Sequence, residues 1–205
     1  MKPEEIETRS FAIIDAEAGD HTFAPAAWSV VRRMIHTSAD FEYVTSTRLH
    51  PHFLDAGIRA IRSGGTIVTD TNMCRAGIRQ SLLDPFGGEV VCAIGAPEVA
   101  ARAEREGITR ARAAVDVTAP LMADGICVIG NAPTALLRLL DLMTAGRAAP
   151  ALVIGLPVGF VNAAESKAAL METDVPYITN VGRKGGSTVA AAAVNALAIL
   201  AHKES

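Results

Sequence analysis

The sequence predicts a three-layer α/β/α fold, with helices on both faces of a mainly parallel sheet of roughly five strands. Three observations carry this. Short β-branched runs alternate with longer helical patterns along the 205 residues. Each run is nearly continuously apolar, as strands covered on both faces are. Proline opens and glycine closes most helical segments, because proline lacks the N–H that a first turn leaves unpaired and glycine reaches positive φ.

In chain order, Thr22 is placed to cap a helix that starts near Pro25 and continues AAWSVVRRMIH. Pro51 opens HFLDAGIRAIR, closed by Gly64 and Gly65. The first strand is TIVTD (66–70) and the second VVCAI (90–94). Pro97 then opens EVAARAERE, closed by Gly107, and GITRARAAV puts Arg110 at a further helix start. ICVIG (126–130) is the third strand, followed by a helix that Pro133 opens and Gly146 closes. LVIG (152–155) and YITN (177–180) complete the sheet, and GRKGGST leads into a long Ala-rich helix. Short connections between such units imply right-handed βαβ crossovers. No repeat, linker or low-complexity stretch interrupts them, so residues 1–205 read as one domain.

Composition narrows the function classes. Half the residues are apolar but only 4% aromatic, which implies an aliphatic core packed with small side chains. A net charge of -3 without a basic stripe argues against nucleic acid. Mean hydropathy is +0.28, yet the longest apolar stretch, Val189 to Ala201, is interrupted by Asn195 and is shorter than the ~20 residues of a spanning helix. The acidic start MKPEEIE lacks the apolar core of a secretion signal, and Cys74, Cys92 and Cys127 fit neither a CxxC pair nor a disulfide framework. A cytoplasmic protein without membrane association is expected.

Open α/β sheets bind ligands beyond the carboxyl ends of their strands. Here those turns read DTNM from Asp70, GNAPT from Gly130, GLPVGF from Gly155 and GRKGGST from Gly182. Any one of them also reads as ordinary helix capping, but four on one rim mark a site. Thr71 and Met73 are the candidate contacts on the first turn, and Asn131, Ala132, Pro133 and Thr134 on the second. Pro157, Gly159 and Phe160 lie on the third, and Arg183, Gly185 and Gly186 on the fourth. GRKGGST suits a carboxylate or phosphate, with backbone N–H groups at a helix start and positive charge from Arg183 and Lys184. It has no Walker A spacing, and no G-x-G-x-x-G follows any strand, so the fold is Rossmann-like without a dinucleotide fingerprint. That leaves a nicotinamide-dependent oxidoreductase unsupported.

Among five histidines, His36 stands out. It ends the first long helix, where the C-terminal dipole favours a protonated imidazole and hence a proton donor; a plain helix-capping histidine is the other reading. His50 and His52 flank Pro51 without a third metal ligand, and His21 and His202 read as solvated. Cys92 and Cys127 fall within strands and read as core packing. No nucleophile motif is present. Arg110 opposes the dipole of its helix start, which suits a nearby anion as well as simple solvation. Arg9 and Ser10 either contact ligand or tie down the N-terminal segment.

Taken together, IETRSFAII (6–14), VVRRMIHTSADFEY (30–43), GGTIVTDTNMCRAGI (64–78), GITRARAA (107–114), VIGNAPTALLRLL (128–140), VIGLPVGFVNAAESKAAL (153–170) and VPYITNVGRKGGSTVAAAAVNAL (175–197) resemble the precorrin-8X methylmutase family. The DFEY and TDTNM forms are closer to its cobalt-precorrin-8 branch. The resemblance implies a five-stranded parallel sheet, a homodimer with active sites near the subunit interface, and an intramolecular shift of a methyl group from C11 to C12 of a corrin macrocycle. It places the proton donor or acceptor on His36 and substrate contacts on Ser10 and Arg110. Arg9, Arg33, Arg110 and Arg183, with backbone N–H groups of the Gly-rich turns, are then the expected receivers of the substrate's carboxylates. No cofactor or metal site is implied, and any cobalt would belong to the substrate. A non-catalytic corrinoid-binding or carrier protein is the alternative.

Overall fold

A computed structural model describes residues 3–203. The first helix, α1 (Pro3–Glu17), precedes α2 (Pro25–Ser38), α3 (Glu42–Ser46), strand β1 (Thr47–Leu49) and α4 (Phe53–Arg62). Then come β2 (Ile67–Thr69), α5 (Asn72–Gly77), β3 (Val90–Val91), α6 (Pro97–Glu106) and α7 (Arg110–Thr118). The chain continues through β4 (Ile126–Ile129), α8 (Pro133–Thr144), β5 (Leu152–Gly155), α9 (Ala163–Met171), β6 (Tyr177–Asn180) and α10 (Ser187–Lys203). The strands form one six-stranded sheet in the order β1-β6-β5-β4-β2-β3. All neighbours are parallel except β1, which runs antiparallel to β6 with Thr47 opposite Asn180.

The predicted parallel strands are all present, and the sheet gains β1 as a sixth. Strand β1 has three residues on an edge and buries only one of them, too little to leave a period in the sequence. The run read as 90–94 pairs only through Val90–Val91, because its partner β2 is itself three residues long. Cys92 therefore lies beyond the ladder and is half-buried, whereas Cys127 is buried in β4 as expected.

Helix boundaries follow local chemistry. Pro97, Pro133 and Pro25 each open a helix, and Gly107 closes α6 at φ +61°. Thr22 is not the cap of α2: extended Ala24 takes that place without a side-chain bond, and its carbonyl accepts the first helical bond from Trp28. Pro51 does not open α4 either. It sits inside a turn closed by Phe53 N–H to His50 O at 3.0 Å, and the helix starts after it. The IETRSFAII segment is helical, and α1 is held to α2 by Glu7–Arg33 (2.9 Å) and Asp15–Arg32 (2.7 Å).

Two faces of the sheet are covered differently. On one, α10 packs against α2, α4 and α5 as well as the sheet. On the other, α7, α8 and α9 cover β4 and β5, with buried Asp116 of α7 bound to Arg138 of α8 at 2.6 Å. Helix α10 is almost wholly buried along one side and rich in alanine, which lets its first turn come within contact of the Gly130 backbone. Ala190 is fully buried there, its Cβ 3.1 Å from where a Gly130 Cβ would stand. Ala190→Leu should therefore cost about 2 kcal/mol through overpacking. Urea unfolding checks this, and an unshifted midpoint would show that the helix can back away from the sheet.

Candidate active site

The four parallel strands β2, β4, β5 and β6 deliver their turns to one rim. Strand order reverses between β2 and β4: the crossover through α5 leads outward to β3, and those through α8 and α9 lead the other way. At that switch point stands Asp70, the first residue after β2, almost fully buried. Its carboxylate accepts N–H bonds from Gly130 (2.9 Å), Asn131 (2.9 Å) and Ala132 (2.8 Å). Burial pushes its carboxyl above the usual range, and the three N–H donors act against that shift.

The turn after β4 is thus turned inward. The amides of Gly130, Asn131 and Ala132 hold Asp70 and are not free for a ligand, contrary to the expectation that N–H groups of the rim turns receive its carboxylates. What this turn presents outward is the exposed Asn131 side chain and the half-buried Pro133 and Thr134; Ala132 is buried as the N-cap of α8. Thr134 Oγ1 lies 3.0 Å from Thr109 Oγ1, and Thr109 caps α7 immediately before exposed Arg110. Arg110 and the GNAPT turn are therefore neighbours. Sequence reasoning passed over Asp70, whose signal was a lone acid ending an apolar strand.

The other half of the rim is built by two interlocked loops. Gly185 is packed so closely that a Cβ would run into the Leu156 and Pro157 carbonyls, and Gly186, at φ +135°, donates to Leu156 O at 2.9 Å. Gly159, at φ +145°, donates to Arg183 O at 3.1 Å. Pro157 is buried, whereas Phe160 is 85% exposed with the Arg183 guanidinium 5.5 Å from its ring centre. Thr71 caps α5 and meets Ser187 Oγ at 2.8 Å, and Met73 beside it is exposed. The Gly185 and Thr188 amides have no backbone acceptor among the described residues. Lys184 does not add free charge as expected: its ammonium bonds Asp40 (2.6 Å) and Glu42 (2.8 Å). Those contacts hold Asp40 below the usual carboxylate range and raise Lys184.

Through Lys184 the rim is joined to the end of α2, which carries His36. The imidazole is exposed in the last turn, edge-on to Phe11 at 5.2 Å between ring centres, and Ala39 ends the helix at φ +52°. His36 and Ser10 line one cavity of about 320 Å³ with Ile13, Ile14, Glu17, Ile35, Ala39 and Phe41. The Ser10 hydroxyl donates to Ile6 O at 2.8 Å, which leaves its oxygen free to accept. Arg9 is exposed, with no ion pair among the described residues. Arg33 is not brought to this cavity: it pairs with Glu7 and lines a small cleft with Arg32 on α2 and the end of α10. His21 is not solvated either, since it stacks on Trp28 with ring centres 4.0 Å apart. Among the described residues no cluster of three or more His, Cys, Asp or Glu side chains is placed to hold a metal, and no helix is long and apolar enough to cross a membrane.

The sequence profile of the precorrin-8X methylmutase family matches residues 5–200. The chain belongs to the precorrin-8X methylmutase family. It is 48% identical to the cobalt-precorrin-8 methylmutase of Priestia megaterium, over 98% of this chain and 89% of that one. It is 41% identical to the precorrin-8X methylmutase of Pseudomonas aeruginosa, over 93% and 92%. The crystal structure of the precorrin-8X methylmutase from Thermus thermophilus superposes with a TM-score of 0.92 at 49% identity, covering 98% of this chain and 97% of that one. Membership makes this chain an isomerase of cobalamin biosynthesis, a methylmutase.

Asp70→Asn tests how firmly the switch point depends on one carboxylate. An amide NH₂ would then face at least one of the three main-chain donors, at a cost of about 2 kcal/mol. Melting should fall by roughly 6 °C. An unchanged melting temperature would mean that the 130–132 turn holds its shape without Asp70.

Proposed function

We propose that this methylmutase moves the methyl group from C11 to C12 of precorrin-8X or cobalt-precorrin-8, giving hydrogenobyrinate or cobyrinate, with His36 as proton donor and acceptor. The observation that carries the reading is that His36 and Ser10 share one cavity, which the Lys184–Asp40 contact joins to the rim of the sheet. The C11–methyl bond breaks as the C12–methyl bond forms, and the substrate's formula is unchanged. A proton lent by His36 to the conjugated system must therefore return to it. Such a shift needs neither a nucleophile nor a redox partner, and cobalt, where present, arrives within the substrate. General acid catalysis by one group supplies ~10²–10⁴-fold, and holding the ring in register supplies much of the rest.

The cavity at His36 is at the lower end of the ~300–1,000 Å³ that enclose a drug-sized ligand, and a corrin with its acid side chains is larger. The ring must extend over the rim. Exposed Met73, Val158, Phe160, Val161 and Val181 offer it an apolar bed there, with Asn131, Arg110 and Arg183 for its carboxylates. On α1, Ile6 and Ile13 are also exposed beside Ser10, which supports a second copy of the chain closing the open side of the cavity.

Incubating the protein with metal-free and cobalt-bearing substrate, and following the visible spectrum of the corrin chromophore, tests the reaction and its preference together. No spectral change with either substrate would refute it. His36→Ala should lower kcat by ~10²–10⁴-fold while product affinity stays within about threefold; turnover near the wild-type rate would remove the acid role. Arg110→Ala should weaken product binding by about tenfold with little effect on kcat, as loss of a charge-assisted hydrogen bond does. Equal affinity by titration would return Arg110 to solvent.

A further inference from the structure

One ionised side chain at the rim is left unexplained by the reaction. Lys167, in the middle of α9, is completely buried and is the largest fully buried side chain among the described residues. Its ammonium donates to Asn180 Oδ1 at 3.0 Å and to the Lys184 carbonyl at 2.6 Å. No carboxylate pairs with it among the described residues, and burial lowers its pKa to about 8. The Asn180 side-chain amide donates to the same Lys184 carbonyl at 3.0 Å. One main-chain oxygen of the GRKGGST loop thus receives two buried donors.

We propose that Lys167 is a positioning residue for substrate binding: it fixes the 182–186 loop so that the Gly185 amide and Arg183 face the carboxylates of the corrin ring. The Lys184 carbonyl is drawn inward, so the Lys184 side chain reaches outward to Asp40 and Glu42, and the flanking Arg183 and Gly185 are held in place. An ammonium in the interior is costly unless its donors are satisfied and a counter-charge is near. Here two of its three N–H groups have acceptors and no carboxylate of the described residues pairs with it, which leaves a carboxylate of the bound ligand above the loop to supply the counter-charge. Hydrophobic packing alone does not account for a lysine at this position, since methionine would fill the same space without a desolvated charge.

The proposal rests on the methylmutase reading, and its test separates the two. Lys167→Met keeps the side-chain volume and removes both donors and the charge. Hydrogen exchange of the loop amides at 183–186 should quicken by about tenfold or more, and KM should rise about tenfold while kcat at saturation stays within about threefold, because His36 lies on a different element. Lys167→Met with unchanged loop exchange and unchanged KM would overturn the proposal. A merely structural lysine would lower melting temperature and leave KM of the folded fraction as it was, which also overturns it. Should Lys167→Met not fold, Asn180→Ala decides: it removes one of the two donors to the Lys184 carbonyl, and KM and loop exchange should move the same way by a smaller factor. No movement in either would refute the assignment. Wild-type protein that fails to turn over substrate would refute the reaction, while loop exchange still reports on Lys167.

Discussion

The site depends on one buried carboxylate. Asp70 leaves β2 at the point where strand order reverses, and everything on the β4 side of the rim hangs from it. A carboxylate without partners in a low-dielectric interior would take up a proton or draw in water. Three consecutive amides ahead of α8 act against this, and the positive end of that helix adds to them. In exchange, the GNAPT turn loses its conformational freedom. The chain then has only one way to enter α8, and that fixes where Asn131 and Thr134 point and where Arg110 sits beside them.

The opposite half of the rim is organised by a charge of the other sign acting on the other main-chain group. Lys167 grips a carbonyl where Asp70 grips amides. In both places a side chain holds main-chain atoms from a distant segment, 60 residues apart in one case and 17 in the other. This suits a large, flat, polyanionic ligand. Its binding surface must be broad and rigid, and loops become rigid when their main-chain groups are tied down from beneath. Few aromatic rings are needed for such a surface. Phe160 and Phe11 are the exceptions, one exposed at the rim and one edge-on to His36.

The central parallel strands could be read from the sequence because β2, β4 and β5 are buried on both faces, so IVT, ICVI and LVIG carry nearly unbroken apolar runs. Strand β1 could not, since an edge strand of three residues owes its existence to pairing with β6 rather than to its own pattern. The rim turns were legible as Gly, Pro and Asn clusters, but their orientation was not. Nothing local in GNAPT says that its amides face inward; the reason lies in Asp70, on another strand. Lys184 misled for the same reason: beside Arg183 it reads as free charge, and only the fold brings Asp40 and Glu42 to it. Arg33, too, is drawn away by Glu7 on a helix that the sequence pattern did not announce.

Small residues make this arrangement geometrically possible. Helix α10 carries alanine where other helices of a sheet domain carry leucine, and its first turn can therefore rest on Gly130 while Ser187 reaches Thr71. Three rim segments meet at that place: the end of β2, the end of β4 and the end of the Gly-rich loop. With a longer side chain on either Gly130 or Ala190 the helix would stand off, and Thr71 and Ser187 would part. The aliphatic, aromatic-poor composition is thus more than a packing style. It is what lets a long helix bring the Gly-rich loop to the carboxylate at the switch point.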